Sequence, residues 1–331
     1  MKQRFNLFGM FGAKDNKRGA AYQPRAVVQD AIESVVEGTE PRIRLVSGYQ
    51  KKLQKEVSNS LSYIDELVEA IPAPIEVSRS RFANNSQVNA YFASVGELQQ
   101  TFSHSSDLKA FFDDVENRDR QEAYALLCMQ VTEKQVTGIE MNGDMLRRDV
   151  LQTAVNFYDH KILSPAATET GIRQGLKQCI FDGLITYILQ GITSLKTQQN
   201  DLQDQRRILS AKLRARLSHG TGLNALLASA HDDQTGLIEI EERLADAEKL
   251  LKQMPVNHNA PLGYLNEVKS LLAHPETFIR LKLVSMKLTR MSIKLSEESS
   301  EAGDTIHFAE LEIANVMKRV VAIVRYPKDE M

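Results

Sequence analysis

The sequence offers little for a covalent or metal-based framework. Its 331 residues include two cysteines, Cys128 and Cys179, too few for a disulfide lattice or a thiolate metal cage. Both sit among apolar neighbours, which reads as reduced, buried thiols in a reducing compartment. No run approaches the roughly 18–20 uninterrupted apolar residues of a spanning helix. The apolar stretch from Phe5 to Ala13 is broken by Asn6 and Gly9 and leads to no clean small-residue cleavage site, so it does not read as a signal peptide. Formal net charge is −2, so no overall field demands nucleic acid or membrane. The expected location is cytoplasmic, with a peripheral position at the inner face of a membrane as the alternative.

Catalytic signatures are missing as well. His219-Gly220-Thr221-Gly222 lacks the lysine and hydroxyl that a phosphate-cradling loop needs, and no strand precedes it. No Gly-x-Ser-x-Gly nucleophile turn occurs. The histidines are scattered, with no i, i+4 pair on a helix beside a third ligand. No metal and no cofactor is expected.

What is present is helical phase. Val46, Tyr49, Leu53, Val57, Leu61, Ile64, Val68 and Ile71 advance by three or four residues, the pattern of a helix with one buried stripe. Leu195, Leu202 and Leu209 fall seven apart, with Leu213 beside them, but Gln199 and Arg206 interrupt the second row. A parallel zipper would not carry both. The phase resumes at Leu237, Ile240, Leu244, Ala247, Leu251 and Met254. Arg206, Arg207, Lys212, Arg214 and Arg216 on the first arm face Glu239, Glu241, Glu242, Asp246 and Glu248 on the second when the chain folds back. The spacing predicts an antiparallel coiled-coil hairpin. Between Ala123 and Leu163 the texture is β-rich, with Thr132-Glu133-Lys134 as a turn and Asn142-Gly143 as a hairpin signal.

The expected fold is therefore mainly α within the α+β class: a helical body, a small antiparallel β-meander and a projecting antiparallel coiled-coil hairpin. The segments are read as a flexible basic arm (1–23), an N-terminal helical region (24–122), the meander (123–163), the long helix and hairpin (164–261) and C-terminal helices packing on the body (262–331).

Three groups are candidates for contact or chemistry. Phe5, Leu7, Phe8 and Phe11 lie among basic residues and suit a membrane interface or a partner's groove. Arg280, Lys287, Arg290 and Lys294 belong to a segment with no acid, read as a basic amphipathic helix able to lie on anionic lipid or track phosphates. Arg147, Arg148, Asp159 and His160 form the polar cluster of the meander, where a carboxylate beside a histidine could tune proton transfer. Core packing, solvated faces and rim ion pairs are the plain alternatives for all three. The favoured function is a non-enzymatic interaction or assembly protein, a scaffold or adaptor that self-associates or holds a protein partner through helical surfaces. The alternatives are peripheral membrane or nucleic-acid binding through the basic segments, and an enzyme working at the polar cluster.

Overall fold

The computed structural model describes residues 25–142, 145–219, 230–253, 261–296, 301–314 and 317–330. The chain divides into two units, one of Ser60–Asp182 with His274–Met331 and one of Pro24–Asn59 with Gly183–Ala273. Two helices, α2 (Tyr49–Glu69) and α7 (Glu169–His219), contribute to both.

The first unit is built on a seven-stranded mixed sheet, which overturns the small meander. Its strands are β1 (Ile75–Glu76), β2 (Glu122–Asn142), β3 (Met145–Ala166), β4 (Ile279–Leu288), β5 (Ile293–Leu295), β6 (Asp304–Ile313) and β7 (Met317–Pro327). Only β1 runs parallel to its neighbour, β7. The antiparallel ladder passes β7–β2–β3–β5–β4–β6 and returns to β7, so it closes on itself through the three residues of β5.

Alternation fills the inside. Ala123, Ala125, Leu127 and Met129 of β2 and Val320, Ala322, Val324 and Tyr326 of β7 join one apolar core. Short helices cover it: α3 (Arg79–Asn84), α4 (Ser86–Tyr91), α5 (Val95–Ser103) and α6 (Ser106–Asp113). Each starts on a polar side chain that accepts a backbone N–H, from Ser78, Asn85, Ser94 and Ser105. Phe102 stacks on Tyr326 with centroids 4.2 Å apart, and Phe157 meets Phe308 edge-on at 5.6 Å.

Thr132, Glu133 and Lys134 do not turn the chain. They pair with Asn156, Val155 and Ala154 in one continuous ladder. The register of β2 with β3 slips three times, and at each slip β3 holds a residue with positive φ: Asp149 (59°), Asp159 (54°) and Ser164 (51°). These are β-bulges, and aspartate tolerates the left-handed conformation better than most residues. The bulge at Asp159 changes the parity of the strand. Val155 and Phe157 before it and Ile162 after it all reach the same core.

The C-terminal segment is mainly strand, not helix, apart from α9 (Pro261–Leu272) and the short 3-10 turns Pro275–Thr277 and Lys328–Glu330. From Phe278 into β4, Phe278, Leu281, Val284 and Leu288 mimic helical spacing. The same stretch also alternates, with Ile279, Leu281 and Leu283 on one face and Val284, Met286 and Leu288 on the other. Pairing with β6 decides between the two periods.

The second unit is helical. α1 (Arg25–Thr39) buries Val28, Ile32 and Val35, α7 buries Leu184, Ile188 and Ile192, and α9 buries Tyr264, Leu265 and Val268. Gly38 is needed for closeness: a β-carbon there would collide with the Ile185 side chain. α8 (Ala230–Gln253) follows α7 in this unit. Arg206 Nε of α7 lies 3.7 Å from Glu248 Oε1 of α8.

Candidate interaction surfaces

The basic segment is redistributed by its β structure. Arg280 and Lys287 sit on β4, Arg290 in the following turn and Lys294 on β5, so they share no helical face. Arg280 Nε donates to the Glu276 carbonyl at 2.7 Å, and Lys294 Nζ meets Glu133 Oε1 at 2.7 Å. Across the ladder Arg280 lies opposite Glu312 and Lys282 opposite Glu310. Lys318 Nζ is 3.5 Å from Glu310 Oε1. Opposite charges in neighbouring strands stabilise their register by a few tenths of a kcal/mol each, ~0.2–1.

β4 is hydrogen-bonded to β6 along its length, while its other edge meets β5 only at Lys287 and Leu288. Phe278 accepts from the Ala314 N–H, which points the even-numbered backbone groups of β4 toward β6. The odd-numbered groups point away. At the ends of that outer edge, Ile279 O accepts from the Tyr63 hydroxyl at 2.8 Å and Thr289 N donates to Ile293 O at 2.9 Å. Between them the backbone of Leu281, Leu283 and Ser285 has no partner among the described residues. Leu283 is 63% exposed. The sequence signal for this edge was the alternation in β4 together with its lysines, since charged residues mark unpaired strands.

The polar cluster does not converge. Arg148 is exposed beside the first bulge, and the side chain of Arg147 lies outside the described residues. Eleven positions of strand, about 36 Å if straight, separate Arg148 from Asp159. Asp159 Oδ2 accepts from Arg319 at 2.6 Å and lies 3.6 Å from Lys161 Nζ. The Arg319 hydrogen bond holds the Asp159 carboxyl below the usual range. His160 turns inward. Its Nε2 is 2.7 Å from the Tyr91 carbonyl, which requires a donating N–H, and its ring stacks on Phe92 at 4.7 Å. Nδ1 is 3.5 Å from Glu97 Oε1. Glu97 also reaches back over the start of α5, accepting from Ala93 N, one residue before the cap, at 2.7 Å, while the cap Ser94 Oγ accepts from Glu97 N. His160 therefore pins β3 to the helices α4 and α5. An open groove beside it is lined by Glu97, His104, Asp107, Asp159 and Lys161.

A second cluster was not anticipated. After α1, the turn Pro41–Leu45 brings Glu40 against α7 and α9. Glu40 accepts from Arg42 Nε at 2.8 Å and from Lys196 Nζ at 2.8 Å. Both cations lie over the Tyr264 ring, at 5.0 and 4.6 Å from its centroid. The Arg42 hydrogen bond leads in holding the buried Glu40 carboxyl down at about 2. Only the order glycine, acid, proline, arginine from Gly38 to Arg42 hints at it in the sequence.

The cysteines differ from each other. Burial pushes the Cys128 thiol up to about 11, whereas Cys179 is exposed on α7 and not buried as its neighbours suggested. Phe5, Leu7, Phe8 and Phe11 lie outside the described residues. Among the described residues no helix is long and apolar enough to cross a membrane, and no group of three or more potential ligands is placed to hold a metal ion. No family model matches the chain, and no curated protein or solved structure matches it.

Proposed function

We propose that the chain is a non-enzymatic interaction or assembly protein that works through a helical arm formed by α7 and α8. The observation that carries this reading is a matched seam. On α7 the residues Leu202, Arg206, Leu209 and Leu213 are spaced four, three, four; on α8 Leu251, Ala247, Leu244 and Ile240 return with the same spacing. In an antiparallel pairing whose register is set by the Arg206–Glu248 contact, they meet one to one. Arg206 falls opposite Ala247, the smallest of the eight, so the long side chain finds room and reaches Glu248. Ala247 is buried and the leucines of both rows are half-buried, while Arg206 and most neighbouring positions are exposed.

The seam is then satisfied within one chain, and partners meet the outer faces. Those faces carry Ile208, Ile238 and Leu250, each at least half exposed. α8 has 24 residues, about 36 Å of helix, so the paired arm reaches far for a modest length of chain.

The test removes matched lengths from both helices, replacing residues 203–250 with a short glycine-serine loop. Light scattering across concentration and stoichiometric capture from a lysate then compare the full and shortened chains. The full chain is expected to exceed the monomer mass or to retain a stoichiometric partner, and the shortened chain to lose that association while keeping its circular dichroism per residue and a cooperative melt. A full-length chain that stays a lone monomer and retains nothing defeats the reading.

A further inference from the structure

The outer edge of β4 is a second surface, independent of the helical arm. We propose that it takes an extended protein segment with alternating acidic and apolar side chains as an added strand of the sheet. Three observations favour this occupant.

The backbone comes first. Leu281, Leu283 and Ser285 point N–H and C=O away from β6 without partners among the described residues, while the same edge is already hydrogen-bonded at Ile279 and Thr289. An added strand completes a ladder that the fold has begun, the mode by which sheets capture extended peptides.

The two faces come second. Side chains of an added strand alternate, so those on one face lie beside Arg280 and Lys282, both exposed, and those on the other beside Leu281 and Leu283. Acidic residues match the first row and apolar residues the second. Glu310 and Glu312 lie on the far side of this cationic row, toward β7, so the edge itself presents positive charge.

The third is what the charges disfavour. Antiparallel pairing with the same edge of a second copy, centred on Leu281 or Lys282, would set the cationic row against itself, where like charges repel; centred on Leu283 it would leave Arg280 and Lys282 beside Met286 and Val284 with no acidic partner. The occupant is therefore a different segment, of opposite charge.

The experiment uses the full-length chain, labelled for amide detection, and an acetylated octapeptide of alternating glutamate and valine. Binding should slow hydrogen exchange at the Leu281, Leu283 and Ser285 amides by about tenfold or more, and should weaken as salt rises from about 50 to 500 mM. Leu283→Pro removes one outward N–H at an edge, where proline is tolerated, and should weaken binding about tenfold or more. Lys282→Glu should do the same, with only a small loss of stability from the like charge it sets opposite Glu310. A lysine–valine peptide should not bind, and the chain with the shortened arm should bind the acidic peptide as the full chain does. The proposal is overturned if the acidic peptide fails to bind at millimolar concentration, if the lysine–valine peptide binds as well, or if Leu283→Pro binds unchanged. Duplex DNA or phosphatidylserine vesicles that bind equally to the wild type and to Leu283→Pro, and displace the peptide, would also overturn it, by marking a phosphate-contacting patch and not a strand acceptor.

Discussion

One row of the sheet runs from Leu283 on β4 through Ala309 on β6 and Val321 on β7 to Cys128 on β2. At its centre Ala309 is 0% and Val321 2% exposed, and at its edge Leu283 is 63% exposed. The residues are similar in kind and share a face, so side-chain chemistry does not explain the difference. Position in the ladder does. β7 is paired on both edges and buried on both faces from Val320 to Val324, while β4, among the described residues, keeps one edge unpaired beyond its contact with β5. The centre of the sheet supplies stability and its rim is left available.

The largest expected contrast comes from proline. Val321→Pro breaks pairing at a position with partners on both sides and should abolish cooperative folding, whereas Leu283→Pro should cost no more than about 1 kcal/mol. Urea denaturation of the two variants separates them, and equal losses would erase the distinction between centre and edge. Alanine should give a smaller contrast of the same sign. Ile323→Ala removes a fully buried side chain from β7 and should cost about 3 kcal/mol, against less than about 0.5 for Leu283→Ala.

A third prediction concerns the helical unit, which is held by a buried charge as well as by apolar packing. The Glu40 carboxyl is depressed to about 2 from an ordinary 4.5, chiefly by its bond from Arg42. Its contribution is thus complete above about pH 4.5 and is lost as pH falls toward 2. Glu40→Gln should lower stability by about 2 kcal/mol at neutral pH and flatten the acid side of the melting curve between pH 4.5 and 2. Melting temperatures across that window decide the matter. A variant that keeps the wild-type slope would show that other carboxylates govern acid unfolding.

Much of the helical unit was legible because its elements have a single period. From Leu195 to Leu213 about half of the residues between the seam positions are lysine, glutamine, arginine and alanine, good helix formers, with no competing alternation. β4 carried two periods at once, and the one that governed depended on β6, whose paired residues lie 16 to 34 positions further along the chain. β7 hid for a related reason: a strand buried on both faces reads as a continuous apolar run, which a buried helix also does. The long β2–β3 ladder was cut short at Thr132-Glu133-Lys134 because three polar residues resemble a turn when the opposite strand is unknown. Asp159 and His160 were singled out for chemistry. Asp159 owes its place to a bulge and an ion pair, and His160 to a carbonyl and a phenyl ring, and neither role leaves a mark in spacing.

The arm is where sequence pattern and proposed function meet, and its register can be read directly. With both native cysteines replaced by serine, Leu209→Cys and Leu244→Cys place thiols at positions that would meet in the proposed seam. Mild oxidation should close an intrachain disulfide with no change in mass on a non-reducing gel, and a Leu202→Cys, Leu244→Cys pair should not close. Interchain dimers from the matched pair, or equal closure of the mismatched pair, would contradict the antiparallel arm on which the proposed function rests.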